Sequence, residues 1–143
     1  WWSACPDRGE RRQWGGVSTQ SWHPGVMITV VGEALVDLVI DPDGSVVAAL
    51  GGAPYNTAIA AARLGADVEF AGTPSTDRFG GLLAARLDDD GVGLAADRSE
   101  FPTTLAAAEL DERGAASYRF YIDGTSAPQL EVDGVHASTE KIH

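Results

Sequence analysis

From Met27 to Gly91 the sequence switches repeatedly between strand-like and helix-like apolar spacing, and this alternation limits the fold more than any other feature. Residues 28–40 are rich in Val, Ile and Leu and read as strand, with a bend allowed near Gly32. Asp41-Pro-Asp-Gly44 has turn chemistry, and residues 45–50 return as a short strand. Gly51 and Gly52 lead into Pro54, a favourable first helical residue, and an Ala-rich helix runs to Leu64 with Gly65 as its stop. Residues 68–71 form a short apolar strand. Ser75 or Thr76 stands where a cap for a second helix is needed, with Asp77 in its first turn, where the helix dipole favours negative charge. Phe79, Leu82, Leu83, Arg86 and Leu87 follow at helical spacing, and Gly91 ends that helix. A β-α-β-α order predicts an α/β fold, a parallel sheet with helices on its faces. Farther along, residues 105–110 and 117–122 flank Asp111-Glu-Arg-Gly114, a hairpin signal. In its second arm Tyr118, Phe120 and Ile122 alternate with Arg119, Tyr121 and Asp123, giving one apolar face.

The ordered text has edges. All four tryptophans of the 143-residue chain lie before Met27, together with Cys5, His23 and the cluster Arg8, Arg11 and Arg12. Residues 27–130 contain no Trp, Cys, Lys or His, and the tail 131–143 brings Lys141, His136 and His143. We read 27–130 as the folded unit, 1–26 as an irregular N-terminal extension and 131–143 as a C-terminal tail. Met27, the only methionine, is either the natural start behind a leader or an internal residue behind a genuine extension.

Residue types that are missing from 27–130 remove whole classes of chemistry. Without His or Cys there is no Ser-His-Asp or Cys-His pair and no His/Cys zinc site, so no metal ligand set is expected. Without Lys there is no Schiff-base amine and no G-x-x-x-x-G-K-[ST] phosphate loop. Gly32 is followed by Glu33-Ala34-Leu35, which does not fit the G-x-G-x-x-G of a dinucleotide-binding strand-turn-helix. A net charge of -11 argues against nucleic acid and against anionic membrane surfaces. No apolar run approaches the roughly 18 residues of a membrane span, the first residues lack a signal-peptide pattern, and one cysteine forms no intrachain disulfide framework. A cytoplasmic protein is the expectation. What remains is hydrogen bonding by carboxylate, amide, hydroxyl and backbone groups, which suits a polyol.

Two features could do that work. Asp37 lies in the apolar run Leu35-Val-Asp-Leu-Val39, with Glu33, Leu35 and Asp37 on one strand face. A carboxylate there either grips neighbouring sugar hydroxyls or faces water at a strand end. Gly51-Gly-Ala-Pro-Tyr-Asn56 places paired glycines, which admit a ligand to bare backbone, before a helix whose first turn carries Asn56. The alternative is an ordinary glycine loop opening a core helix.

The second motif, followed by Ala-x-Ala-x-x-Leu-Gly spacing up to Gly65, resembles the N-terminal signature of the ribokinase/PfkB carbohydrate kinases. Val30-Val-Gly-Glu33 with Asp37 is similar to that family's first strand, and residues 67–72 to its next one. Ser75-Thr-Asp-Arg-Phe-Gly80 resembles its G-x-D-x-F-G helix start. Residues 103–104 with 108–121 resemble lid strands, and Gly124-Thr-Ser-Ala-Pro-Gln-Leu130 resembles the segment after the lid in fructokinase-like members. The resemblance implies a Rossmann-like ribokinase fold with a small β-sheet lid, its strands at about 41–50 and 103–123. It implies phosphorylation of a sugar hydroxyl from ATP with Mg²⁺. It assigns Asp37 to ring hydroxyls, Gly51 and Gly52 to admitting the sugar and Asn56 to orienting it. Glu33, Tyr55 and the 124–130 segment favour a fructokinase-like sugar.

The family's Gly-rich anion hole with its catalytic Asp has no counterpart in this text, where Asp88-Asp-Asp-Gly91 is the nearest run. The expectation is therefore the N-terminal, truncated half of such a kinase: a sugar cradle with no catalytic residue and no full ATP or Mg²⁺ site, inactive by itself. The other reading is a non-catalytic fragment or gene remnant that binds sugar or forms a homodimer through the lid strands. Truncation of a doubly wound sheet would also leave an unpaired apolar edge.

Overall fold

The computed structural model describes residues 26–131, so the reading of both ends as appendages lies almost wholly outside the described residues. The first apolar run divides. β1 (Met27–Val31) stops at Gly32, which has φ +151°, and β2 (Leu35–Ile40) begins after it. A Cβ on Gly32 would stand 2.8 Å from Pro54 Cβ, so the bend is packed against the start of the next helix. The two strands enter different sheets, so the bend anticipated near Gly32 separates two strands, and Asp37 lies on the second.

β1 pairs in parallel with β4 (Asp67–Ala71), and β4 with the short β5 (Gly93–Leu94), giving the parallel layer that the alternation predicts. α1 (Ala53–Arg63) precedes β4 and α2 (Arg78–Asp89) follows it. The core gathers Val36, Tyr55, Ala58, Val68, Phe70, Leu83 and Leu87. Tyr55 links three of these elements: its ring meets Phe70 edge-on at 6.0 Å, and its hydroxyl donates to Leu83 O at 3.2 Å. Burial pushes that hydroxyl up to about 12, so it remains a donor at neutral pH.

The helix ends follow local chemistry, with one correction. α1 closes at Leu64, and Gly65 takes φ +92° just beyond it. α2 is capped by Asp77, not by Ser75 or Thr76. Asp77 Oδ1 accepts from Gly80 N at 2.8 Å and from Thr103 Oγ1 at 2.6 Å, while Oδ2 accepts from Thr103 N at 2.8 Å. Both oxygens are therefore used, one on the helix and both on the segment that feeds the next strand. On α2, Leu83 and Leu87 are buried, whereas Phe79 and Leu82 of the same apolar spacing remain exposed.

The second sheet has the order β3-β2-β6-β7, with β3 (Val46–Gly51), β6 (Leu105–Leu110) and β7 (Ala116–Tyr121). Two hairpins build it. β2 and β3 are joined through the 41–44 turn, where Gly44 N donates to Asp41 O at 2.8 Å. β6 and β7 are joined through 111–114, where Asp111 Oδ1 accepts from Arg113 N at 2.9 Å and Ala115 N at 2.8 Å. A parallel pairing of β2 with β6 unites the hairpins. The small sheet thus contains both anticipated lid regions, and β2 besides. Its base is tied down by Thr104 Oγ1 and Thr125 Oγ1, 2.7 Å apart in the interior, and by Thr73 Oγ1, which donates to Ser126 O at 2.6 Å.

Candidate functional site

The β2–β3 hairpin register determines what surrounds Asp37. Asp37 lies opposite Ala49 on β3 and opposite Ala106 on β6, and Ala106 in turn lies opposite Phe120 on β7. Directly opposed residues share a sheet face, so one row reads Ala49, Asp37, Ala106, Phe120. The neighbouring row toward the base contains Leu35 and Gly51. Val36 and Leu38 alternate onto the other face, where they pack into the core with Leu50 and Leu105. The carboxylate therefore stands on the face turned away from that core, flanked by methyl groups.

Gly51 leaves room for that carboxylate. A Cβ built there would overlap Asp37 Oδ2 and lie 3.2 Å from Asp37 Cγ. Any side chain at 51 would collide with the carboxylate and displace it. Gly52 is the N-cap of α1 at φ 112°, without a side-chain capping bond, and a Cβ on it would be 2.6 Å from Glu33 O. Its carbonyl accepts the first helical bond, from Asn56 N at 2.9 Å.

The Asp37 carboxylate accepts no hydrogen bond and joins no ion pair among the described residues. It is half-buried, and desolvation raises its pKa above the usual 3.8. A partly desolvated carboxylate without a partner costs stability. Hydroxyl donors arriving in front of it would remove that cost.

Of the four positions singled out in the sequence, the structure brings Asp37 and Gly51 into contact and sets Gly52 beside them at the helix start. Asn56 opens instead onto a separate hollow, with Leu50, Tyr55, Ile59, Arg63 and Arg86. A hollow of about 390 Å³ does adjoin the Asp37 face, lined by Gly32, Glu33, Leu35, Thr104, Phe120 and Ile122 among others. Sequence reasoning did not single out Leu35, Ala106 or Phe120 as site residues. Leu35 follows from strand alternation, but Ala106 and Phe120 reach Asp37 only through the β2–β6 pairing. Among the described residues no group of three or more His, Cys, Asp or Glu side chains could hold a metal ion, and no helix is long and apolar enough to cross a membrane.

Residues 26–137 match the pfkB family carbohydrate kinases. The chain belongs to that family. Among curated relatives it is 32% identical over 108 residues to a fructokinase of Vibrio alginolyticus, covering 74% of this chain and 35% of that protein. It is 33% identical over 97 residues to a fructokinase of Escherichia coli, covering 66% of this chain and 32% of that one. The chain thus spans about a third of the length of these relatives. Among solved structures, the fructokinase from Xylella fastidiosa superposes with a TM-score of 0.69 at 32% identity, over 76% of this chain and 37% of that one. A second structure of that enzyme, with bound ATP, superposes with a TM-score of 0.68. The ribokinase fold anticipated from the motifs is the fold observed. Kinases of the pfkB family use ATP. Among the described residues there is neither a G-x-x-x-x-G-K-[ST] loop nor a lysine.

Proposed function

We propose that this chain supplies the sugar-holding part of an ATP-dependent carbohydrate kinase that phosphorylates a hydroxyl of a fructose-like sugar. The observation that carries the reading is the unpartnered, partly desolvated Asp37 carboxylate facing Gly51 on a surface of small side chains. In this reading Asp37 accepts hydrogen bonds from two adjacent hydroxyls, and Gly51 and Gly52 let the ring approach the backbone, whereas Asn56, which opens onto the separate hollow, takes no part in the cradle. The four-stranded sheet covers the sugar and excludes water, which aligns the attacking hydroxyl. Most catalysis of phosphoryl transfer is positioning and charge stabilisation, so such a cradle is a substantial share of the task. The proton acceptor, the nucleotide pocket and any Mg²⁺ ligands belong outside these 143 residues, whose text has no Gly-Ala-Gly-Asp-like run.

The exposed aromatic edge of β7 favours a second reading, a non-catalytic sugar-binding or dimerising unit. Tyr118, Phe120, Tyr121 and Ile122 are exposed along β7 and its end, and they would form the seam of a homodimer through the lid strands.

Titration of the purified 143-residue chain with fructose, followed by calorimetry, tests the first reading. Saturable binding that disappears in Asp37→Ala is expected. Equal binding by the variant would remove Asp37 from the site. With ATP and Mg²⁺ present, no sugar-dependent ADP release is expected, and its appearance would overturn the placement of the base elsewhere. Sedimentation of the same sample separates a monomer from a lid-mediated dimer.

A further inference from the structure

The hollow onto which Asn56 opens has its own chemistry. Its volume is about 310 Å³, and its lining combines an apolar floor, Leu50, Tyr55 and Ile59, with the Asn56 amide and the side chains of Arg63 and Arg86. That size lies at the small end of ligand pockets.

The two arginines come from different helices and converge on one carboxylate. Arg63 Nε is 2.8 Å from Asp90 Oδ1 with Arg63 Nη2 3.2 Å from Oδ2, and Arg86 Nε is 2.7 Å from Oδ2. Asp90 is only 14% exposed and does not line the hollow, whereas the arginine side chains are 53% and 46% exposed and do. The shared anion lies behind and the cations in front. One carboxylate offsets one guanidinium, so the pair keeps one positive charge. Neither fork is used up, because a guanidinium has five N–H donors and each arginine retains terminal ones.

We propose that this hollow binds a small phosphomonoester, with the phosphate held between Arg63 and Arg86 and the organic part against Leu50, Tyr55 and Ile59. Planar forks match phosphate oxygens in pairs, and Asp90 fixes both forks beforehand, which lowers the ordering cost of binding. Asp88 and Asp89 stand on the neighbouring turn of α2, and the chain is acidic overall at -11, so a bulk positive field does not draw the ligand in. Recognition instead rests on directed N–H donors. Leu50 precedes the Gly51-Gly52 bend and Asn56 follows it, so this site lies behind the bend that faces Asp37. It goes beyond the sugar reading and does not depend on it.

The test uses glycerol phosphate and inorganic phosphate as probes, unphosphorylated glycerol as control, and ¹⁵N chemical-shift titration of the full chain. Both phosphates should give saturable shifts confined to residues around 50–63 and 83–90, and glycerol none. Losing a charge-assisted bond removes roughly 1.5–3 kcal/mol, tenfold or more in affinity. The double variant R63Q/R86Q should therefore bind glycerol phosphate at least about tenfold more weakly. Arg86→Lys keeps the charge but loses the planar fork, and should bind several-fold more weakly in an undisturbed fold. Asp37→Ala should bind as the parent does, which separates this site from the sugar cradle. Undiminished affinity in R63Q/R86Q and R86K, equal shifts with glycerol, or loss of binding in Asp37→Ala would each overturn the proposal.

Discussion

The two sheets of this protein differ in how their faces are filled. In the parallel sheet, β4 is buried from Val68 to Ala71 with α1 packed against it, and Phe70 is wholly enclosed. In the four-stranded sheet, β7 is exposed along its whole length, β3 over most of it, and the inner strand β6 fills its buried positions with Ala106, Ala107 and Ala108. One layer uses large apolar side chains to hold the fold. The other keeps its side chains small around one carboxylate, which leaves space where a ligand can lie. On the proposed reading, stability and recognition sit on different strands, and substitutions should separate them.

The largest expected effect is in the parallel layer. Phe70→Ala removes a buried ring that meets Tyr55 edge-on, and cavity-forming changes of this kind cost about 3–5 kcal/mol. Phe120→Ala, on a residue 56% exposed, should stay within about 0.5 kcal/mol. Denaturant melts of the two variants measure the contrast. A Phe120 variant as damaged as the Phe70 variant would mean that the lid face is buried in solution, and the division of labour would fall.

The same contrast explains what was legible in the sequence. The helices, the hairpins and the parallel core follow from local signals: Gly65 and Gly91 as stops, Asp41 to Gly44 as a turn, apolar spacing on each side. The break at Gly32 was visible, but the assignment of its two sides to different sheets was not, because only the contact with Pro54 and the β2–β6 pairing decide it. The cap of α2 was misplaced by one or two residues for a similar reason. Ser75, Thr76 and Asp77 can all cap, and Thr103, distant in sequence, selects Asp77. Asp37 and Gly51 were legible as separate features, and the hairpin register makes them one site. The direction in which Asn56 faces depends on how α1 lies against β3 and α2, which local spacing does not encode.

An intermediate effect is expected at that cap. Asp77→Ala loses the helix cap and both links to Thr103, a cost of about 1–2 kcal/mol. Desolvation alone would raise the pKa of Asp77, but hydrogen bonds from Gly80 N–H and from the Thr103 hydroxyl and N–H outweigh it and lower the value to about 2. The folded value is below the usual 3.8, so the contribution is complete above about pH 4 and is lost as pH falls toward 2. Acid titration of the parent and the variant should show the stability gap closing over that window. A gap that persists unchanged at pH 2 would show that the cap acts without its charge.

Asp37 should give the smallest change in stability, with the opposite sign. Burial raises its folded pKa above 3.8, so the folded protein holds this proton more tightly than the unfolded chain, and stability declines as pH rises through that raised value. Asp37→Asn keeps the shape and removes the charge. At neutral pH the variant should be as stable as the parent or more stable by a few tenths of a kcal/mol, and it should lack this part of the pH dependence. Its affinity for fructose should nevertheless fall, because the amide removes the negative charge that strengthens both hydrogen bonds from the proposed sugar hydroxyls and turns one acceptor into a donor. A residue retained for packing would show the reverse, with stability lost and binding kept. Chemical melts from pH 3 to 8 combined with one fructose titration decide between them, and an Asn variant that is clearly less stable at pH 7 would place Asp37 among the structural residues of the lid.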